Sequence, residues 1–376
     1  MESKGNYEFA ESHPVNGGEG PYSYLQNSTL QRGAIEASKE MIKEAILKHF
    51  DMNKTLDSAS FSNQIFLADF GCSTGPNTFL AVQNIVEAVQ LKCQLEKPHH
   101  LDHSDDHHQN PIIFQVFFND HFANDFNTLF KSLPPTRKYL AAGVPGSFHD
   151  RLFPNSFLHF VHSSCALHWL SKVPSQVTDR TSPAWNKGRI YYANAGEQVK
   201  KAYSDQFAED LMSFLRARAE ELVVGGLILL IIPTVLDILL PSDNTINMEI
   251  DLMGSCLVDM TKMGLVSEEK VDSFNVPVYF PSPSEVEAIT GRNGHFSIES
   301  MEKLNIENHV LLPNLQMRVL YLRAALEGLL QKHFGNEIMD ELFNRFSNKV
   351  AQSSIFLNPE NHKSPFLFVL LKRNPH

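Results

Sequence analysis

The sequence predicts an α/β protein, an open and mainly parallel sheet with helices on both faces. Apolar runs of strand length alternate with long segments of helical periodicity, which is the pattern of strand–helix–strand units. The first such run, Ile65 to Ala68, reaches Asp69 and breaks into a loop, Gly71-Cys72-Ser73-Thr74-Gly75, before Pro76 opens a helical pattern. The second run, Ile112 to Phe118, also leads to an acidic residue, Asp120.

The elements follow in order. Ser28 to Phe50 is a helix, with Leu30, Ala34, Ile35, Met41, Ile42, Ala45 and Ile46 at helical spacing. Ser28-Thr29-Leu30-Gln31 fits a capping box. The strand Ile65 to Asp69 precedes a helix over Thr78 to Gln94. Lys97 to Asn110 holds five His among Asp and Ser. It lacks apolar periodicity and reads as a solvated loop, with metal binding as the weaker alternative. The strand Ile112 to Phe118 is followed by a helix over Phe122 to Phe130. Asn155 to Leu170 supplies another strand and its exit, and Glu197 to Glu220 is a long amphipathic helix. Gly225-Gly226 punctuates the chain before the strand Leu227 to Ile232. Pro241 to Gly264 and Ser267 to Thr290 turn helical and loopy, as an inserted cap would. Phe296 to Glu299 and Phe366 to Lys372 are the last strands, which returns the C-terminus to the core.

The expected division is therefore a core over 1–240 with a short cap insertion near 172–200, and a helical cap over 241–292 extended by 303–360. The final core strands would lie in 293–302 and 364–376. A chain of 376 residues, 43% hydrophobic and 10% aromatic, can bury a large core. Its net charge of -11 argues against a nucleic-acid binder, which would show a basic face. An anionic small substrate stays open, because surface charges are screened beyond roughly 8 Å at physiological salt. Leu222 to Leu240 is interrupted by Gly225, Gly226, Pro233 and Asp237, so it reads as a buried strand and exit loop and not as a membrane span. The N-terminal MESKGNYEFAESH has no apolar signal region. Cys72, Cys93, Cys165 and Cys256 are widely spaced without a Cys-x-x-Cys pair, which suggests reduced thiols in a cytoplasmic protein.

The loop after the first strand is where an open α/β sheet binds its ligand. It lacks the Lys of a phosphate-binding loop, and its Gly-x-x-x-Gly spacing is not the dinucleotide fingerprint. Gly71 and Gly75 would let the backbone approach a ligand. Asp69 favours a ligand with positive charge, as in the ammonium and sulfonium of S-adenosylmethionine. The alternative is a plain strand-to-helix turn. Asp120 fits the acidic residue that bonds ribose hydroxyls, or else a turn residue or helix cap.

Seven motifs in sequence order carry a resemblance: NGGEGPYSYLQNSTLQ, ADFGCSTGPNT, FFNDHFANDFN, GVPGSF, SSCALHWLS, WNKGRIYY and DSFNVPVY. Together they resemble the plant SABATH family of S-adenosylmethionine-dependent carboxyl methyltransferases over nearly the whole chain. The subgroup most similar includes enzymes of loganic acid and farnesoic acid. The resemblance implies a Rossmann-like seven-stranded methyltransferase sheet with an inserted helical cap, usually as a homodimer. It implies methyl transfer from S-adenosylmethionine to the carboxylate of a small specialised metabolite or hormone acid. The family also contains N-methyltransferases of xanthines, which is the alternative activity. A non-catalytic binding protein on the same fold is a third reading.

The resemblance implies that Tyr24, Cys72, Asn77, Asp120, Ser147 and Phe148 contact S-adenosylmethionine, with Asp69 and Gly71 shaping the loop. Phe148 would stack on the adenine, beside His121 where the family usually has Leu. Gln31, His168 and Trp169 match substrate-anchoring positions. Cys165 stands where the family motif SSYxLHWLS has Tyr, which widens the pocket. His168 in place of Met argues against a dedicated salicylate enzyme. A structural magnesium would be held by Asn186, Asp272, the backbone of Phe274, and Asn275.

Plainer readings stand beside these. Gln31 can complete the capping box, Trp169 can be core, His168 can be a satisfied buried histidine, and Asp272 can be a turn residue ahead of Pro277. Cys165 is no nucleophile, because nothing nearby in sequence lowers its pKa. A carboxylic acid with a pKa of about 4 is already ionised at neutral pH, so no general base is required. Ile238, Leu239, Ile250 and Met253, with Leu311 to Leu315, are the cap residues expected to shape the acceptor pocket. Their apolar character suits a terpenoid or aromatic acid.

Overall fold

The computed structural model describes residues 14–52, 63–96, 112–304, 306, 314–357 and 364–375. The His-rich stretch 97–110 and most of the expected pocket segment at 311–315 lie outside the described residues. The chain enters through a short helix α1 (Tyr24–Asn27) and a long one, α2 (Thr29–His49). There follow β1 (Gln64–Phe70), α3 (Pro76–Leu95), β2 (Ile113–Asp120), α4 (Phe126–Lys131), β3 (Leu140–Pro145) and β4 (Leu158–Ser164). Next come α5 (Glu197–Glu221) and β5 (Leu222–Pro233), then α6 (Thr245–Lys262), α7 (Glu268–Asp272) and α8 (Pro283–Asn293). The chain closes with β6 (Phe296–Leu304), α9 (Leu315–Phe334), α10 (Met339–Gln352), α11 (Ser354–Leu357) and β7 (Phe366–Arg373).

The seven strands form one sheet in the order β3-β2-β1-β4-β5-β7-β6. The first five pair in parallel, while β7 runs antiparallel between β5 and β6. Strands of such a sheet are covered on both faces, which is why they read as unbroken apolar runs. Leu227 to Ile232 of β5 and Phe366 to Leu371 of β7 are all within 2% of complete burial. Each such side chain contributes about 1.5–3 kcal/mol of transfer free energy. The strand order reverses around β1, with β2 on one side and β4 on the other. The loops leaving β1 to β4 therefore open at one edge, the crevice where this architecture holds ligands.

Five strands are legible as apolar runs and β6 as a shorter stretch; β3 is not. It is an edge strand, Leu-Ala-Ala-Gly-Val-Pro, with Leu140 58% exposed, so burial imposes no apolar pattern on it. The helix expected from Phe122 starts only at Phe126, because Asp125 caps it by accepting from the Thr128 amide at 3.0 Å. The break expected at Gly225-Gly226 is absent. β5 runs through it, and a register shift opposite Leu158 and Phe160 absorbs the glycine Gly225 at φ +80°. β6 continues to Leu304, past the expected 302. Among the described residues no helix is long and apolar enough to cross a membrane.

Candidate active site

A cleft open to solvent lies at the C-terminal ends of β1 to β4. Its floor is the loop after β1 (Gly71, Ser73), Asp120 and His121 after β2, Gly146 to His149 after β3, and Ser164 to Ser171 after β4. Tyr24 of α1, Gln31 of α2 and Tyr321 of α9 close the other side.

Gly71 turns the floor. Its φ is +77°, and a Cβ there would sit 2.2 Å from that of Ala166, so only glycine fits. Gly75 has no such requirement: its backbone is extended and the nearest atoms to an added Cβ are 3.8 Å away. The amides of Gly71 and Cys72 both donate to the Asn119 carbonyl at 2.9 Å, which ties the loop to β2. Asp120 accepts from the Ser73 amide through one oxygen and the His121 amide through the other, each at 2.7 Å. Burial raises its carboxyl to about 6, against those two amide bonds, and the nearby Asp69 adds to the rise. Each oxygen keeps a free lone pair.

Of the residues expected at the cofactor, Tyr24, Gly71, Asp120, His121, Ser147 and Phe148 line the cleft; Asp69, Cys72 and Asn77 are not among its lining residues. Asp69 lies beneath the loop, with one oxygen taking the Thr78 hydroxyl and the other 2.6 Å from His162 Nδ1. These two bonds brace the loop from beneath. Burial pushes the Cys72 thiol well above its ordinary value. Asn77 donates to the Ser28 carbonyl at 3.0 Å and the Ser28 hydroxyl at 2.9 Å. That bond overturns the capping box: Ser28 caps no amide of α2, since its hydroxyl is engaged by a residue of α3.

Gln31 is thereby released. Its side chain is 9% exposed in the cleft, and its Oε1 has no hydrogen-bond partner. His168 is also buried in the cleft wall, stacked on Phe280 with ring centroids 5.4 Å apart. Burial lowers it to about 3, so it is neutral, and its Nδ1 has no partner. Trp169 is half-buried in the same wall and pairs with Val278 in an isolated bridge. Cys165 has φ +55°, and burial pushes its thiol up to about 12, so it is no nucleophile.

The cleft also contains Ser73, Asn124, His149, Ser164, Ser171 and Tyr321, which the sequence did not single out. Ser164 and Ser171 both belong to the quoted motif SSCALHWLS, so a signal existed for them. Tyr321 comes from a helix near the chain's end with no local motif. The expected cap residues do not line the cleft: Ile250 and Met253 are buried core, Leu239 packs against that core, and Ile238 is 89% exposed. The apolar face of α6 is used for packing, so Ile250 says nothing about acceptor polarity.

Of the four expected metal positions, Asn186 and Asn275 meet directly, while Asp272 is tied to the Gly188 backbone. Asn186 donates to Asn275 Oδ1 at 2.7 Å and to the Tyr191 carbonyl at 3.1 Å, and Asp272 accepts from the Gly188 amide at 2.8 Å. The orphaned buried atom here is Asn275 Nδ2, a donor that cannot ligate a cation. Asp272 is the one carboxylate of the set, and the Asn275 oxygen already accepts hydrogen bonds. This arrangement does not fit magnesium, which needs six oxygens in near-octahedral order. Among the described residues no group of three or more His, Cys, Asp or Glu could hold a metal ion.

Comparison with known proteins agrees with this geometry. The family model for SAM dependent carboxyl methyltransferases matches residues 10–374. The chain is 42% identical to loganic acid O-methyltransferase of Catharanthus roseus, with 96% of this chain and 95% of that protein covered. It is 39% identical to farnesoic acid carboxyl-O-methyltransferase of Arabidopsis thaliana (89% and 92% covered) and 37% identical to paraxanthine methyltransferase 2 of the same plant (95% and 97%). A solved structure, loganic acid methyltransferase with SAH, superposes with a TM-score of 0.89 at 41% identity, covering 96% of this chain and 99% of that one.

Proposed function

This chain belongs to the S-adenosylmethionine-dependent carboxyl methyltransferases, and we propose that Gln31, His168 and Trp169 hold its acceptor acid against the cofactor. The enzyme transfers a methyl group from S-adenosylmethionine to a carboxylate oxygen of a small-molecule acid. Bound S-adenosylmethionine supplies a methyl group on a cationic sulfur, and transfer leaves a neutral ester and a neutral thioether.

The cofactor half of the cleft suits that molecule. Asp120 offers free acceptor sites to a ribose diol, Phe148 offers an aromatic face to the adenine, and Gly71 leaves room for close approach. His121 and Ser147 border the same space. In the acceptor half, the Gln31 amide and the Trp169 indole N–H donate to the carboxylate, and His168 orients it. Held so, the acid needs only to meet the methyl carbon in line, and positioning of this kind can be worth roughly 7–11 kcal/mol. The neutral His168 and the protonated Cys165 leave no fixed charge on that side. A site of low polarity favours a step in which opposite charges are annihilated.

The observation that carries the assignment is Gln31, buried in the cleft with a side-chain amide that makes no hydrogen bond to the described residues, so that its NH2 can turn to a carboxylate. His168 supports carboxyl over purine chemistry. A ring N–H must lose its proton on methylation, and a histidine at about 3 is a poor base at neutral pH. The acceptor side is bordered by Trp169, Leu170, Pro277 and Ala325, which suits an acid with an apolar terpenoid or aromatic body. The proposal extends to a cytoplasmic homodimer with 241–292 and 303–360 as its cap. It gives magnesium no role.

Calorimetry with Gln31→Leu tests the assignment. S-adenosylhomocysteine should bind as to the wild type while the acid binds about tenfold more weakly or worse, as expected for one lost bond to a charged group. Equal loss of both ligands would contradict it.

A further inference from the structure

We propose that α5 positions both reactants through two buried clamps two turns apart, Arg218–Glu221 on the loop carrying Ser147 and Phe148, and Asp210 on the loop carrying His168 and Trp169. The inference rests on the roles given to those loops above.

The first clamp is fully buried. Arg218 Nε donates to Glu221 at 2.6 Å, and its two terminal nitrogens donate to the carbonyls of Phe148 at 2.7 Å and Asp150 at 2.9 Å. Glu221 turns its other oxygen to the amides of Leu152 at 2.5 Å and Phe153 at 2.9 Å. The guanidinium lies 4.1 Å from the Phe70 ring centroid and 5.1 Å from that of Phe214, which fixes the plane of its fork. Residues 146–157 have no helix or strand, so their buried backbone groups need partners elsewhere. The pair spends its hydrogen bonds on that backbone. A buried ion pair is a weak device for stability alone, since hydrophobic replacements often match it. This one instead holds the carbonyl of the very residue whose ring faces the cleft.

The second clamp lies eight residues earlier on the same helix, about 12 Å along its axis. Asp210 is buried and accepts from the Ser171 amide at 2.8 Å, the Ser171 hydroxyl at 2.6 Å and Gln206 at 2.9 Å. Ser171 closes the loop that begins at Cys165, so its anchor sets where His168 and Trp169 stand. The clamps meet at His149, whose Nδ1 donates to the Asp210 carbonyl at 3.3 Å and whose ring lies 4.6 Å from that of Phe148. Rigid spacing along one helix thereby fixes the distance between cofactor loop and acceptor loop.

Arg218→Lys and Asp210→Asn test this in the full chain. Lysine keeps the charge opposite Glu221 but cannot fork to two carbonyls. Asparagine keeps the shape but turns a donor toward a donor. With Arg218→Lys, the dissociation constant of S-adenosylhomocysteine should rise about tenfold, and hydrogen exchange should quicken over 146–153 but not 165–171. With Asp210→Asn, S-adenosylhomocysteine should bind as before, exchange should quicken over 165–171 only, and kcat/KM should fall about tenfold for the acid the wild type methylates best. If each variant shifts both loops, or neither does, the proposal is overturned. A wild type that methylates no acid would count against the functional reading, while the S-adenosylhomocysteine and exchange results would still decide the clamps. Should Arg218→Lys not fold, Glu221→Gln removes charge from the same clamp and carries the same expectations.

Discussion

Asn77, in the first turn of α3, donates to both the carbonyl and the hydroxyl of Ser28, the residue before α2. The bond fastens the helix that follows the cofactor loop to the helix that carries Gln31. Sites for two different molecules thus share one buried hydrogen-bond pair.

Asn77→Ala should therefore harm both sites. Losing two buried partners costs about 1–3 kcal/mol, and the midpoint of thermal unfolding should fall. S-adenosylhomocysteine and the acid should each bind several-fold more weakly in calorimetry. Loss confined to one ligand would show that the bond serves only one helix.

Trp169→Phe keeps an aromatic ring in the wall and removes the indole N–H. It should lower kcat/KM for the acid about tenfold to a hundredfold, the range for one hydrogen bond to a charged group. Cofactor affinity should stay within about twofold. Unchanged acid kinetics would return Trp169 to a packing role.

Asp120 gives the cofactor affinity a pH dependence. Burial holds its carboxyl at about 6 in the free protein, and only the ionised form accepts from both ribose hydroxyls. Affinity for S-adenosylhomocysteine should rise as pH climbs from 5 to 7 and level off above that. Asp120→Asn should bind several-fold more weakly with that rise removed. A wild-type affinity flat across this range would separate Asp120 from the cofactor. The sign for stability is opposite. A carboxyl raised above its unfolded value binds its proton more tightly when folded, so its contribution weakens as pH rises toward 6.

His168 is lowered to about 3, so the folded protein keeps it neutral where an unfolded chain would protonate it below about 6.5. Its share of stability is present above that value and is lost as pH falls from there toward 3. His168→Gln should unfold less readily than the wild type in acid, relative to their difference at pH 8. It should also leave the shape of the kcat–pH profile unchanged while lowering its height several-fold, because no proton passes through this ring. A limb of that profile abolished by His168→Gln would make it an acid–base group.

The parts legible in the sequence are those with local causes. Strands buried on both faces are mostly apolar, so the parallel β1, β2, β4 and β5 and the antiparallel β7 announce themselves. Asp120 was legible because an acidic strand end in series with a glycine loop has a chemical meaning. What failed to show was decided by distant partners. Ser28-Thr29-Leu30-Gln31 has the spacing of a capping box, but Asn77 engages the Ser28 hydroxyl across 49 positions. Asp69 has the position of a ligand-facing carboxylate, and its partners Thr78 and His162 come from other elements, which no local spacing announces. Tyr321, Arg218 and Asp210 act through contacts between remote segments, which no spacing rule reports. Ile250 and Met253 look like pocket residues by composition and are core because α6 packs its apolar face inward.

The central claim is carboxyl methylation of a small acid, and the chemistry of the product tests it most directly. The protein would be given methyl-labelled S-adenosylmethionine with loganic, farnesoic, salicylic, benzoic, indole-acetic, jasmonic and gibberellic acids, and separately with xanthines. Label in an extractable product that mild base returns as methanol is the predicted result, for at least one acid and no xanthine. Base-stable label on a xanthine, with every acid silent, would contradict it.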